Sequence, residues 1–365
     1  MASAESSSAA QHDEKIMAFA QRLVEAFVDR TESASFSPLN IMDAMRLLHE
    51  CASPEGQRLI EEAFQAFGPD AVCEVVDGSW ARALCDAKTG LERAALLFGQ
   101  HLHVSPECQD ALETMNATVM SEGDASRING WVSKATHGHI NEVVRGPLLD
   151  VYLLTAFFFK GTWENKFKKE RTQRRPFRCA DGCIQQVPMM NQLLRMKRYH
   201  VPGEVEAVLL PYTMPGMSAI FVKASDPKKV FDMGMIRKLL SAPPVKVDVT
   251  IPTLDIKYER EISTVLRDMG LSSIFEWPGI HLSKIQVAPD NHIKIERVQH
   301  QTKLKVDEEG TVAAAVTIIS GRGWGRSRSR QERIHIFRAD EPFYMLIMHE
   351  ETLLFFTYVA KLSGM

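Results

Sequence analysis

The residue pattern of the chain changes near position 150, and this change constrains the fold more than any other feature of the sequence. Before it, apolar residues recur at the three- and four-residue spacing of amphipathic helices. Such stretches predict helices over residues 12–30, 37–48, 54–67, 106–120 and 126–144, with one strand over 93–104. After it comes the run 151–159, whose nearly continuous apolar residues are typical of a strand buried on both faces.

Short apolar runs separated by turn residues continue from there to the C-terminus. They predict strands over residues 186–200, 205–212, 217–224, 245–257, 284–306, 343–349 and 353–361. Helical spacing predicts a pair of helices over roughly 227–241 and one helix over 259–269. Helices that dominate the first part and strands that dominate the rest indicate the α+β class. Because the strands cannot bury their faces without the helices, we expect a single domain over residues 1–365.

The composition argues against several classes of protein. A formal net charge of −3 does not fit a general nucleic-acid binder, whose domains are usually strongly basic. No run approaches the roughly 18 apolar residues of a membrane span, so we expect no membrane partner. Neither a catalytic triad signature nor a glycine-rich phosphate loop is present. We therefore predict that the chain is not an enzyme and that it needs no cofactor.

The N-terminus and the cysteines bear on the compartment. Residues 1–11 are small and polar and lack the basic start and apolar core of a secretory signal. The six cysteines show no disulfide framework and indicate reduced thiols. We expect a cytoplasmic protein, or one that is released without a signal peptide.

Two pairs of side chains have the spacing of partial metal sites. His101 and His103 share a strand face, and Cys179 and Cys183 are four residues apart. Each pair lacks the third protein ligand that zinc sites need. We therefore predict no metal site.

Residues 307–341 fit neither the helical nor the strand pattern. Loops longer than about 15 residues are uncommon inside compact domains and are usually functional or disordered. Residues 310–319 are uncharged, small or β-branched, and can lie as a strand in the middle of a sheet. Residues 321–333 are rich in glycine and arginine and are typical of an accessible target of proteolysis. The first half is thus able to become a strand, and the second half is able to be cut.

The stretch KVDEEGTVAAAVT at residues 305–317 resembles the hinge of the serpins, a family of suicide-substrate inhibitors of serine proteases. Six further stretches resemble serpin signatures and occur in the family's order. They are residues 35–41 (SFSPLNI), 129–144 (NGWVSKATHGHINEVV), 153–167 (LLTAFFFKGTWENKF), 187–190 (VPMM), 207–222 (AVLLPYTMPGMSAIFV) and 337–362 (FRADEPFYMLIMHEETLLFFTYVAKL). Together they cover nearly the whole chain, which resembles the intracellular, ovalbumin-like serpins that have no cleaved signal peptide.

The resemblance implies an α+β fold of three β-sheets and about nine helices, with an exposed reactive-centre loop over about residues 308–336. In this family a protease cuts the loop, and the loop from Thr311 onward inserts as an extra strand into a five-stranded sheet. The protease stays attached as an acyl-enzyme, is carried along, and is distorted before it completes hydrolysis. The inhibitor itself supplies no catalytic group.

The implied partner is a trypsin-like or chymotrypsin-like serine protease, with a papain-like cysteine protease as an alternative. A monomer is expected, and members of the family can also form loop–sheet polymers. The hinge decides between inhibitory and non-inhibitory members, because the latter tend to carry bulky, charged or proline residues there. Here it consists of Glu308, Glu309, Gly310, Thr311, Val312, Ala313, Ala314 and Ala315. This composition predicts an inhibitor, and the alternative is a non-inhibitory serpin that acts as a binding or chaperone protein.

Counting from the two ends of the loop gives different reactive bonds. The residue sixteen positions after Glu308 is Trp324, which places the bond at Trp324–Gly325 and suits a chymotrypsin-like pocket. Counting back from Pro342 gives Gln331 instead, so the loop is longer than the common form. The count from Glu308 is favoured, because the number of inserted residues determines how far the protease is carried.

Arginines in the loop leave the bond open. Arg326 and Arg322 are alternatives that the acidic pocket of a trypsin-like enzyme would accept. The arginine run is also compatible with a kinase target or a polyanion contact, and a third interpretation is a polyanion-binding module. A second basic cluster is typical of a solvated surface and comprises Lys166, Lys168, Lys169, Arg171, Arg174 and Arg175. We do not expect nucleic acid or sulfated polysaccharide as a partner.

The resemblance also assigns residues that control opening of the sheet. Trp163, together with Lys160 and Gly161, matches the region where the loop first enters the sheet, called the breach. His300 matches the family's central histidine beneath the opening strands, called the shutter, and Ser37, Asn40 and Thr155 belong to the same region. The family commonly has asparagine in place of Thr155 and serine in place of Asn40. We hypothesise that Asn40 replaces the missing amide and forms a hydrogen bond with His300.

Overall fold

The computed structural model of the protein describes residues 14, 16–26, 28, 30–65, 91–99, 101–114, 117–145, 151–276, 282–286, 295–311 and 332–362. The described residues between 14 and 26 form helix α1. The other α-helices are α2 (Pro38–Cys51), α3 (Pro54–Gln65), α4 (Pro106–Thr114), α5 (Ala125–Ala135), α6 (Met233–Ser241) and α7 (Ser263–Leu266). Short 3-10 or π turns lie at Lys169–Arg171, Pro227–Phe231, Arg267–Leu271 and Ser272–Ile274. No helix in the described ranges is long and apolar enough to cross a membrane.

The strands dominate the part of the chain after residue 150, as the sequence predicts. They are β1 (Ala34–Phe36), β2 (Leu91–Phe98), β3 (His103–Val104), β4 (Ala117–Met120), β5 (Val151–Phe159), β6 (Gly161–Thr162), β7 (Gln173–Arg178), β8 (Ile184–Val201), β9 (Val205–Pro211), β10 (Met217–Ala224), β11 (Val245–Pro252), β12 (Leu254–Glu261), β13 (Ile285–Gln286), β14 (Ile295–Val306), β15 (Gly310–Thr311), β16 (His335–Arg338), β17 (Phe343–His349) and β18 (Thr352–Val359).

Three predicted helices are shorter than the sequence suggested. The helix expected over 259–269 is α-helical only over Ser263–Leu266, because Leu254–Glu261 forms β12. The helix expected over 106–120 ends at Thr114, and Ala117–Met120 forms β4, which pairs in parallel with β2. Two of the four residues of β4 are β-branched, and such residues suit a strand. The helix expected over 126–144 ends at Ala135, because the chain turns at His137 and Gly138, which both have positive φ. The described part of the chain holds seven α-helices, against about nine expected.

The strands form three sheets among the described residues, and the α+β class is confirmed. A nine-stranded sheet has the order β1-β18-β17-β10-β9-β8-β11-β16, with β7 paired to β8. A seven-stranded sheet has the order β4-β2-β5-β14-β15-β6, with β12 paired to β14. A two-stranded sheet joins β13 and β3. The seven-stranded sheet carries Thr155, His300, Gly310 and Thr311 of the residues that the sequence assigns to function.

Helices cover both faces of the seven-stranded sheet. Helix α2 packs against β2 and β5 on one face and against β18 of the nine-stranded sheet. It begins sharply because the Ser37 side chain accepts a hydrogen bond from the Asn40 N–H and Pro38 occupies the first helical turn. Helix α5 packs against β2. Its Ile128 and Val132 form a second, smaller core with residues of β2, β4 and β5. The sheet is therefore buried on both faces, which explains the continuous apolar run of β5.

Candidate functional site

The two central strands of the seven-stranded sheet, β5 and β14, pair directly and in parallel. Their register runs from the pair Val151 and Ile295 to the pair Phe158 and Lys303. We call this pairing the seam. Beyond it the two strands separate, and the continuation of β5 as β6 pairs with β15 instead of β14. We call this opening the split.

The split is filled by the beginning of the hinge. Gly310 pairs with Thr162 and Thr311 pairs with Gly161 on one side, and Thr311 pairs with Val306 on the other. Strand β15 is antiparallel to both neighbours. The residue pattern predicts that residues 310–319 are not yet a strand before cleavage, and this is wrong for Gly310 and Thr311. They already lie in the sheet because β6 and β14 diverge and leave backbone groups for them to bond.

Glycine is required at two places in the split. Gly310 has φ of +151°, and a Cβ there would lie 2.0 Å from the carbonyl oxygen of Gly161. A Cβ on Gly161 would lie 2.6 Å from Tyr212 and 2.7 Å from Phe159. Both distances are far below van der Waals contact, so larger residues would push β15 and β6 apart.

The hinge glutamates hold the turn that leads into β15. The Thr172 hydroxyl donates to the Glu308 carboxylate at 2.6 Å, and the Lys166 ammonium lies 2.5 Å from the Glu309 carboxylate. This ammonium is the largest cause that lowers the pKa of Glu309 below its usual value. Backbone N–H groups of Trp163 and Phe167 donate to the carbonyls of the two glutamates, each at 2.9 Å.

An aromatic layer lies beneath the split. The Trp163 indole N–H donates to the Asp307 carbonyl at 3.0 Å, and its ring stacks on Tyr212 with centroids 4.5 Å apart. The Tyr212 hydroxyl is 2.8 Å from the Thr311 hydroxyl. Thr311 is fully buried, and burial raises the pKa of the Tyr212 hydroxyl. Trp163 therefore lies directly under the first residues of the hinge.

One hydrogen bond crosses the seam between side chains that are direct register partners. His300 of β14 lies opposite Thr155 of β5, and the His300 Nδ1 is 2.7 Å from the Thr155 hydroxyl. The Ser37 backbone N–H donates to the His300 Nε2 at 3.3 Å. Since Nε2 accepts, Nδ1 carries the proton and donates to Thr155. Opening the seam would break this bond.

His300 is held in its neutral form. The imidazole is fully buried, and burial lowers the pKa of His300 to about 3. A second proton would also remove the acceptor that the Ser37 N–H uses. Ser37 is fixed in turn, because its hydroxyl donates to the Leu354 carbonyl at 2.8 Å.

The hypothesis that Asn40 forms a hydrogen bond with His300 is wrong. Each ring nitrogen of His300 already has another hydrogen-bond partner: Nδ1 bonds the Thr155 hydroxyl, and Nε2 bonds the Ser37 backbone N–H. The Asn40 side chain is buried, and neither its nitrogen nor its oxygen has a partner among the described residues. Thr155 itself replaces the family's asparagine, because its hydroxyl reaches the ring from the opposite strand.

The remaining loop residues named from the sequence lie outside the described residues. These are the hinge residues Val312, Ala313, Ala314 and Ala315, and the candidate cleavage positions Arg322, Trp324, Gly325 and Arg326. The expected loop bounds of 308–336 are too wide, because His335 and Ile336 already form β16, which pairs in parallel with β11. Both ends of the loop thus leave from strands.

The structure adds residues that the sequence analysis did not assign to the breach. Tyr212 and Thr172 both contact the hinge, although only Tyr212 lies within a stretch that resembles the family. Lys166 was assigned to a basic surface cluster, yet it pairs with Glu309 of the hinge. Its position three residues after Trp163 was the available signal.

Comparison with known proteins agrees with this geometry. The model of the serpin family, described as serine protease inhibitor, matches residues 14–362. Serpin B11 of Mus musculus is 29% identical over 66% of this chain, which spans 64% of that relative's length. Serpin B6 of Pongo abelii is 27% identical over 89% of this chain and 91% of the relative. Both are ovalbumin-type serpins.

A solved structure gives the same result for the fold. The thermophilic serpin tengpin in its native state superposes with a TM-score of 0.81 at 20% identity, over 96% of this chain and 94% of that chain. The family-model match covers nearly the whole sequence. The chain belongs to the serpin family.

Proposed function

We propose that the protein inhibits a serine protease as a suicide substrate, by loop cleavage and insertion of the cut loop into the seven-stranded sheet. One observation carries the proposal: Gly310 and Thr311 already form a strand in the split, in line with the seam between β5 and β14. The rest of the inserted strand would continue β15 downward between these two strands.

The strand directions favour insertion. The seam joins two parallel strands, whereas β15 is antiparallel to both of its neighbours. A strand that continues β15 would replace one parallel pairing by two antiparallel ones, which are slightly more stable per residue. Each inserted residue would also gain ladder hydrogen bonds that the cut loop lacks, as in β-strand addition.

The side chains of the hinge suit both faces of the sheet. The side chain of Thr311 is buried against Tyr212 on the aromatic side. With a period of two, Ala313 and Ala315 would follow it on that face, and Val312 and Ala314 would face the side covered by helix α5. These residues are uncharged and mostly small, so they would enter a packed sheet without burying a charge.

We further propose Trp324–Gly325 as the reactive bond, with Arg326 and Arg322 as alternatives. Counting from the hinge supports this position, and the pocket that accepts the residue before the bond decides between chymotrypsin-like and trypsin-like targets. In this mechanism the protein supplies a substrate bond and a sheet that accepts a strand, but no catalytic group. It acts as a monomer in the cytoplasm, and loop–sheet polymers form when the loop of one copy inserts into another.

The test is to mix the protein separately with trypsin and chymotrypsin and to run denaturing gels. A complex that survives denaturation supports covalent trapping. The mass of the released C-terminal peptide distinguishes Trp324 from Arg326 and Arg322. Clean cleavage by both enzymes without a complex would contradict the inhibition of trypsin-like and chymotrypsin-like proteases and favour a binding or chaperone role.

A further inference from the structure

The turn between β7 and β8 brings two cysteines and an aspartate together. It has the sequence Cys179-Ala180-Asp181-Gly182-Cys183. The Cys179 N–H donates to the Cys183 carbonyl at 2.8 Å, and the Gly182 N–H donates to the Cys179 carbonyl at 3.0 Å. Gly182 has φ of +85°, which lets the chain reverse within these few residues.

The three side chains converge on one point. One ligand atom from each of Cys179, Asp181 and Cys183 lies within 4.8 Å of the other two. The Cys183 backbone N–H donates to the Asp181 carboxylate at 2.9 Å. Cys179 is buried, whereas Asp181 and Cys183 are exposed. The cluster therefore has a closed side and a side that is open to solvent.

Contacts with the rest of the protein fix the turn. The Ala180 N–H donates to the Ala360 carbonyl at 2.9 Å, next to the end of β18. The Arg178 N–H donates to the Asp340 carbonyl at 2.8 Å. Because the turn is held from both sides, its side chains lose little conformational entropy when an ion binds.

We propose that this turn is a zinc site formed by the thiolates of Cys179 and Cys183 and the carboxylate of Asp181. The cysteine pair alone gave only two ligands, and Asp181 is the third that the sequence analysis did not find. Zinc sites with three protein ligands leave a fourth position for water or another ligand, which the exposed side of the turn provides. Two thiolates select zinc over magnesium or calcium, which prefer oxygen ligands.

Binding of the ion exchanges protons for metal bonds. Zn²⁺ with two thiolates and one carboxylate has a net charge of −1. Binding replaces the two thiol protons by two sulfur–metal bonds, and both protons pass to the solvent. No electron is transferred, so the step needs no oxidant or reductant.

The test uses the whole reduced protein and Co²⁺ as a spectroscopic substitute for Zn²⁺. Titration should produce the thiolate-to-cobalt charge-transfer absorption with one ion per chain, and added ZnCl₂ should remove it. Cys183→Ser should abolish the absorption, and Asp181→Asn should weaken binding by about tenfold or more. ZnCl₂ should raise the melting temperature of the wild type but not that of Cys183→Ser.

A second cysteine pair provides the matched control. The sulfurs of Cys51 and Cys108 lie 3.0 Å apart in the core, far from the turn in sequence. The double variant Cys51→Ser/Cys108→Ser should keep the cobalt absorption of the wild type. If the wild type shows no absorption, or if Cys183→Ser keeps it while this control loses it, the zinc site is overturned. Protease trapping is measured separately, so failure of either proposal is distinguishable from failure of the other.

Discussion

The split and the seam lie in the same sheet, between continuations of the same two strands, yet they differ in what fills the space. In the split, Thr311 pairs with both neighbours through backbone hydrogen bonds. In the seam, β5 and β14 bond each other directly, and the His300–Thr155 hydrogen bond adds a side-chain link. The sheet is therefore open at one end and closed at the other.

This difference indicates a direction for insertion. A strand that begins at Gly310 and Thr311 can lengthen only by separating Phe158 from Lys303 and then reaching Thr155 and His300. In the split, the first residues of the inserting strand pair without breaking any hydrogen bond between β5 and β14. The buried His300–Thr155 hydrogen bond opposes the further separation of these two strands. Residues of the split should thus control whether insertion starts, and residues of the seam should control how readily it proceeds.

The largest effect is expected from a charge in the split. Thr311→Arg would bury a guanidinium against Tyr212, where an unpaired charge costs several kcal/mol. We expect loss of the denaturation-resistant complex while the loop is still cut, measured on gels with the protease that traps the wild type. Thr311→Ser keeps a small hydroxyl and is the control. Normal trapping by Thr311→Arg would show that β15 does not start insertion.

A smaller effect is expected from acid, which acts on the seam through His300. Its native pKa of about 3 lies below the ordinary value of 6.5, so the unfolded chain takes up a proton first as the pH falls. The stabilisation by neutral His300 is complete above pH 6.5 and declines below it by about 1.4 kcal/mol per pH unit until the native pKa is reached.

Unfolding free energies of the wild type and His300→Gln at several pH values isolate this contribution. The advantage of the wild type should shrink by about 3 kcal/mol between pH 6.5 and pH 4.5. A difference between the two proteins that stays constant over this range would contradict the neutral, buried imidazole.

Next in size is the loss of the bond across the seam. Thr155→Val keeps the shape of the side chain but leaves the His300 Nδ1–H without its acceptor, which costs about 1–3 kcal/mol for a buried donor. We expect a lower melting temperature and faster polymerisation on mild heating, measured by calorimetry and native gels. Thr155→Ser retains the hydroxyl and should behave like the wild type. Equal polymerisation of Thr155→Val and Thr155→Ser would show that this bond does not hold the seam.

The smallest effect is expected at Asn40. Its amide is buried without a partner among the described residues, so Asn40→Ala removes no hydrogen bond of that group and leaves only a small cavity. The free energy of unfolding should change by less than about 1 kcal/mol. A loss above about 2 kcal/mol by chemical denaturation would instead revive the hypothesis that the amide supports His300.

Sequence patterns predicted the α+β class and most strands, because buried strands carry continuous or alternating apolar residues wherever they lie in the sheet. The hinge was also visible, since uncharged small residues between charged stretches are rare within a fold. The contacts of Tyr212 with Thr311 and of Lys166 with Glu309 could not be predicted from the sequence, because each joins residues about 100 or more positions apart.

The shutter shows why departures from the family's residues do not by themselves predict which side chain bonds His300. Two departures from the family, Thr155 and Asn40, suggested that one residue compensates for the other. The structure shows instead that Thr155 makes the contact, because strand register places it directly opposite His300. Register across a parallel pair cannot be read from either strand separately.

The central claim is that the cut loop lengthens β15 into the seam, and the melting temperature before and after cleavage tests it most directly. If residues 312–324 insert and each gains about 1 kcal/mol net from hydrogen bonding, stability rises on the order of 10 kcal/mol, which corresponds to a rise in melting temperature of roughly 10–15 °C. We predict this rise for the cleaved wild type, and no comparable rise for cleaved Thr311→Arg. An unchanged melting temperature of the cleaved wild type would contradict insertion.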